Sequence, residues 1–304
     1  MLLDLLRTIA ITLLLLGHLS GLVGNSFIRH WFGWQHSTIP AIDYGITFGQ
    51  IAITMFLVVS GIALELNYRS RKYGYGEFMV NRILRIYPIY YLALLVGIVM
   101  LAIGNPSEKV VLTPTVPEFL WSLSGFQAFT GRFGGAIVGT AWFIGLIMTL
   151  YLLYPFLSRA VKRWPHITII LALSLTVLSR YIVGRWDILP GGAAGSPLKW
   201  FPLCQLFWFV LGIYLVRVLK VDFWLCMNRV GRIAAGLAFA SELSFPLFLV
   251  HFPLLRMVLY HDVWGLNESV SILVWFIVSI LISWLIVVIT NRFVPRKRIV
   301  DSLD

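Results

Sequence analysis

An all-α bundle of membrane-spanning helices is the fold this sequence predicts, and three observations carry the prediction. Of 304 residues, 59% are hydrophobic and only 12% are charged, about half the charged share of a soluble domain. The mean hydropathy is +0.87. Eight separate apolar stretches approach the roughly 20 residues that a helix needs to cross a bilayer. A soluble globular enzyme is thereby excluded. The 12 Trp, 12 Tyr and 21 Phe suit side chains placed at lipid–water interfaces.

In chain order the spans are expected at about 8–24, 46–66, 83–103, 141–159, 165–184, 200–219, 237–260 and 270–291. The first has no basic leader and no clear small-residue cleavage site, so it reads as a span and not as a signal peptide. A shorter apolar piece, 119–129, lies between Pro117 and the run Gly131, Gly134, Gly135. It reads as a re-entrant or half helix. Ten crossings are the alternative, with 118–138 crossing twice, although that segment is short for it. The tail Val294–Asp304 reads as a basic cap. Residues 1–304 are expected to form one integral membrane domain with no appended soluble domain. No internal repeat of the kind common in transporters is visible.

The 24 Lys and Arg residues outnumber 13 Asp and Glu. In a membrane protein such an excess marks the cytoplasmic side, and no nucleic-acid partner is expected. With the N-terminus inside, the inner flanks hold most of the basic residues, among them Arg7, Arg69, Arg71, Lys72, Arg82, Arg85, Arg217 and the tail. The outer side keeps Arg29, Lys109, Arg132, Arg180, Arg185, Lys199 and Arg256. Both termini are therefore expected in the cytoplasm, which needs an even number of crossings. The two cysteines, Cys204 in an apolar stretch and Cys226 in a basic loop, imply no disulfide framework.

Ionisable groups inside a bilayer are costly and point to function. His18 in ITLLLLGHLSGL and His251 in SFPLFLVHFPLL both fall about two-thirds of the way towards the outer face, so they can meet at one depth. The structural alternative for each is a neutral imidazole bonded to a neighbouring helix. Arg7 and His18 are eleven residues apart, about 1100° of helical rotation, so they share a face with roughly 16 Å between them. That spacing suits a long substrate with an anionic end at the cytosol and a reactive end in the membrane, such as a coenzyme A thioester. Arg82 and Arg85 in NRILRIYPIYY stand at i, i+3 on one helix, and guanidinium forks take phosphate bidentately. Pro88 should bend that helix just inside the membrane. Ser60-Gly61 reads first as helix packing. Trp142 and Tyr154-Pro155 read first as interface aromatics and a kink.

Five segments in this order resemble the acyltransferase-3 family of integral membrane O-acyltransferases. LDLLRTIAITLLLLGHL is similar to its first span, with an Arg, ten residues, then a His. MFLVVSG resembles its F-x-x-x-S-G signature, and FMVNRILRIYPIYY its R-x-x-R-I-x-P-x-Y segment. AWFIGLIMTLYLLYPFL resembles its tryptophan-led span, and LSFPLFLVHFPLL its late span ending in a histidine before Pro. The resemblance runs from residue 3 to about 254. It implies transfer of an acyl group, often acetyl, from cytosolic acyl-CoA to a hydroxyl of a cell-envelope glycan or lipid-linked sugar. The setting implied is a bacterial inner membrane, with no metal involved.

Carried onto this chain, the resemblance makes His18 the catalytic histidine and Arg7, Arg82 and Arg85 the donor-binding set. Ser60 and Trp142 would line the substrate site, and His251 would be a second catalytic candidate. Many members have a carboxylate where this chain has Ile147 and an Asp where it has Thr54, so a His–carboxylate dyad at those positions cannot operate here. His18 would act as general base or carry the acyl group itself. A transporter or flippase for a glycan or anionic substrate is the alternative on the residues alone, and a membrane scaffold or sensor is a third.

Overall fold

A computed structural model describes residues 1–22, 47–69, 73–103, 115–130, 137–185, 197–221, 232–259 and 265–293. Arg71, Lys72, Cys226, the Gly131–Gly135 run and the tail after Phe293 lie outside the described residues. Among the described residues the chain is helical throughout and has no strand. Seven helices among the described residues are long and apolar enough to cross a membrane.

The helices are α1 (Leu2–Leu22), α2 (Phe48–Tyr68), α3 (Tyr75–Ile103), α4 (Val116–Ser124), α5 (Trp142–Arg163), α6 (Pro165–Arg185), α7 (Leu206–Arg217), α8 (Arg232–Leu259) and α9 (Glu268–Phe293). A single helical turn, Pro197–Trp200, and a 3-10 turn, Pro202–Gln205, lead into α7. The expected span at 200–219 is thus a shorter, broken apolar helix, Pro202–Arg217. Pro202 begins the 3-10 turn, and the ladder becomes α-helical only from Leu206.

Local chemistry sets the ends. Thr47 caps α2 through a capping box with Gln50, which satisfies two otherwise orphaned backbone donors. Pro88 lies inside α3, Pro155 inside α5, and Pro246 and Pro253 inside α8. Each removes one ladder donor and favours a bend.

The short element α4 has nine residues and reaches only about 14 Å, too little to cross. A Thr115/Glu118 capping box starts it, and Gly125 at φ +78° ends it. A side chain at Gly125 would meet Ile144. Tyr87 donates to the Ser124 carbonyl at 2.6 Å, and Tyr90 donates to that of Ser122. These bonds satisfy carbonyls of the last turn. They dock the short helix on α3.

The core is enclosed by α5 and α8, whose spans are 56% and 61% buried, whereas α6 and α9 are 22% and 28% buried. On α6 the exposed side chains include Ile167, Ile170, Leu171, Val177, Leu178 and Tyr181, an apolar face suited to lipid. Helices α2 and α7 cross at two glycines. A Cβ on Gly61 would lie 2.3 Å from the Phe209 carbonyl oxygen, and one on Gly212 would lie 2.2 Å from that of Val58. Such close backbone contact is the usual use of small residues between membrane helices.

Candidate active site

Helices α1 and α8 run side by side in the same direction and are joined at two levels. At the lower level Arg7 Nη1 donates to Ser241 Oγ at 3.4 Å. At the upper level His18 Nδ1 and His251 Nε2 are 2.7 Å apart. The intervals are eleven residues on α1 and ten on α8, so both rungs recur after about 15–16 Å of helix. The two imidazoles lie edge to edge and nearly in one plane, with centroids 4.9 Å apart and 21° between their planes.

The outer bonds of the pair assign its protons. His251 Nδ1 lies 2.9 Å from the Leu247 carbonyl oxygen, which can only accept, so that nitrogen carries hydrogen. In a neutral ring Nε2 of His251 is then an acceptor. His18 Nδ1 must donate to it, and the lone pair of His18 falls on Nε2. Among the described residues no donor occupies that lone pair. His251 is wholly buried while His18 is partly open. The inner histidine is thus held on a backbone carbonyl, and the outer one presents an unshared lone pair.

The frame around the pair is rigid. Trp275, buried on α9, donates to the His251 carbonyl at 2.9 Å. Thr140 donates to the Phe248 carbonyl at 3.0 Å. Phe252 packs edge-on against His18, and Gly139 leaves room for its ring, since a Cβ there would sit 2.3 Å from it. Gly17 stands one residue before His18, and a Cβ on it would lie 3.2 Å from both the Gly49 nitrogen and Phe48 Cβ. Helices α1 and α2 therefore nearly touch beside the histidine. Phe56, Phe143 and Phe248 form an aromatic cluster on the same side of the pair.

Lys199 sits in the turn Pro197–Trp200, which Gln205 holds by donating to the carbonyls of Leu198 and Lys199. Fully buried Trp200 anchors that turn against Phe129.

The arginines occupy the opposite end. Arg7 is half-buried and lies 3.9 Å from Asp4. Arg82 is half-buried. Its Nη2 donates to Tyr68 Oη at 2.8 Å, and its guanidinium lies 5.1 Å from the Tyr68 ring centroid and 5.8 Å from that of Phe78. Its buried Nε has no hydrogen-bond partner among the described residues. Arg85 is exposed, so the i, i+3 pair is divided between an aromatic shelf and the surface. Ser60 is half-buried beside the α2–α7 crossing, and Trp142 is buried at the start of α5. Ile147 lies in the core, and Thr54 donates back to the Gln50 carbonyl. The dyad carboxylate positions are therefore apolar or self-bonded.

Behind Arg82 lies a second cluster that the sequence did not announce. Glu65, wholly buried, pairs with Arg217 Nε at 2.5 Å. It also accepts from Ser158 at 2.9 Å and Tyr154 at 3.1 Å. Arg217 closes the ring by donating to Ser158 Oγ at 3.0 Å. Tyr73, between α2 and α3, is held above the usual phenol range by burial and by the Glu65 carboxylate. It therefore remains a protonated donor at neutral pH.

Among the described residues no group of three or more His, Cys, Asp or Glu side chains is placed to hold a metal ion. Comparison with known proteins adds the chemistry. A family described as an acyltransferase domain matches residues 2–223. That range contains Arg7, His18, Ser60, Arg82, Arg85 and Trp142 and stops before His251. The acyltransferase MdmB of Streptomyces mycarofaciens is 25% identical over 196 residues, 59% of this chain and 49% of the relative. The aligned region thus spans about half the length of that curated relative. No solved structure matches. With its bundle of apolar helices, this chain belongs to the acyltransferase-3 family of integral membrane acyltransferases.

Proposed function

We propose that this acyltransferase moves an acyl group, acetyl in the first instance, from cytosolic acyl-CoA to a hydroxyl of a cell-envelope glycan or lipid-linked sugar. The setting is the bacterial inner membrane, with both termini in the cytoplasm. The observation that carries the reading is the Leu247–His251–His18 chain of hydrogen bonds, which leaves the lone pair on His18 Nε2.

The donor enters from the inner face. Arg7, Arg82 and Arg85 hold its phosphates, and the pantetheine arm spans the roughly 16 Å between Arg7 and His18. The acceptor enters from the outer side, past Trp142, while Ser60, eleven residues beyond Gly49 on α2, lines the donor path on the cytosolic side of His18. His18 Nε2 takes the hydroxyl proton as the acceptor oxygen bonds to the thioester carbonyl carbon. The carbonyl carbon becomes tetrahedral and its oxygen an oxyanion. Collapse breaks the C–S bond, and the departing thiolate takes the proton back from His18. His251 keeps the His18 ring in the reactive tautomer and shares the positive charge while His18 is protonated.

The test is transfer by purified protein with labelled acetyl-CoA and a lipid-extract acceptor pool, comparing wild type with folded His18→Ala. Label in glycan or glycolipid with wild type alone supports the reading. Equal label with both removes His18 from the chemistry. Label bound to protein without acceptor would mark a two-step route through acyl-histidine.

A further inference from the structure

The shelf under Arg82 rests on a buried foundation. Tyr68 Oη accepts from Arg82 Nη2 at 2.8 Å, and the rim of the Tyr68 ring lies against the guanidinium. That ring packs edge-on against Tyr73, Phe78 and Tyr154. Tyr154 bonds Glu65, and Glu65 is fixed by Arg217 and Ser158. The chain of contacts therefore runs from an ion pair between α2 and α7, through a tyrosine of α5, to the terminal residue of α2 and a guanidinium of α3.

Arg82 itself has no acidic partner among the described residues, and its Nε–H is buried there without an acceptor. A cation in a membrane protein normally finds a counter-charge or water. Here it lies against the rims of two aromatic rings and is bonded to a neutral phenol. Ring contact with one donor engaged restrains the fork, so less side-chain entropy remains to be lost when an anion arrives.

We propose that Tyr68 is a positioning residue, which aims Arg82 at the phosphates of the thioester donor and is itself held by the Glu65–Arg217–Ser158–Tyr154 cluster. This rests on the donor-binding role given above to Arg82. Tyr68 touches no reacting atom. Its effect on binding passes through Arg82, and so it is confined to ligands that carry phosphates.

The experiment is a double-mutant cycle of coenzyme A binding by calorimetry on nanodisc-embedded protein, with pantetheine as the phosphate-free probe. Tyr68→Phe keeps the ring and removes one oxygen. It should weaken coenzyme A binding about tenfold, the scale of a hydrogen bond to a charged group, and leave pantetheine binding unchanged. Arg82→Gln should weaken coenzyme A at least as much, and the double variant should be no weaker than Arg82→Gln alone. The proposal is overturned if Tyr68→Phe binds coenzyme A like wild type. It is also overturned if the two losses add in full, or if pantetheine binding falls equally. Wild type that binds no coenzyme A removes both this proposal and the donor assignment. His18-dependent transfer from a different donor would then still preserve the acyltransfer reading.

Discussion

Two nitrogen atoms, on His18 and His251, lie 2.7 Å apart between two membrane helices, and the proposed chemistry rests on them. A histidine there can be satisfied by a carbonyl and remain inert, and His251 is satisfied in that way by Leu247. His18 instead gives its N–H to His251 and keeps a lone pair. Replacing His18 with Ala should lower transfer by about 10²–10⁴-fold, the range for losing a general base, with the folded yield preserved. Transfer rates on the purified variant check this.

At the scale of elements, the close crossing of α2 and α7 and the ion pair just beneath it hold one side of the bundle. Gly61→Leu should prevent α2 from reaching α7, because a Cβ already falls 2.3 Å from the Phe209 carbonyl oxygen. Monodisperse protein should be lost in detergent. Arg217→Ala leaves the Glu65 carboxylate buried without its cation and should cost about 3–5 kcal/mol. Replacing both with Met should cost less than Arg217→Ala alone, an order that thermal unfolding can read.

The elements also show which parts of the site a sequence can display. Period and hydropathy suffice for the long spans. Arg7 and His18 stand out because both lie on one helix and their spacing is close to a whole number of turns. Glu65 and Arg217 do not, since each ends a separate span. Each reads as an ordinary interfacial charge until α2 and α7, far apart in sequence, are brought together. The division of Arg82 from Arg85 needs the shelf of Tyr68 and Phe78, which no helical wheel of α3 contains. The broken span before α7 is hidden because a hydropathy window averages over Pro202 and Gln205.

Across the whole molecule, basic residues collect at one end of the bundle and the histidine pair lies towards the other. The parallel course of α1 and α8, with rungs at Arg7–Ser241 and His18–His251, links the two ends by a single helical interface. Under the proposed mechanism, this lets a donor held at the cytosolic face be used by an acceptor arriving from outside. Cysteines introduced at position 2 and at position 303 should both be labelled by impermeant thiol reagents only after the inner face is opened. Labelling of either in intact cells would contradict the orientation.

The most direct measurement of the central claim is the transfer rate of His18→Ala, His251→Ala and the double variant under single-turnover conditions. If His251 acts by holding the His18 ring, its loss should slow transfer on the order of 10²-fold in the presence of His18 and have no further effect in its absence. A His251→Ala protein that transfers at the wild-type rate, or a double variant slower than His18→Ala by the full His251 factor, would contradict the account.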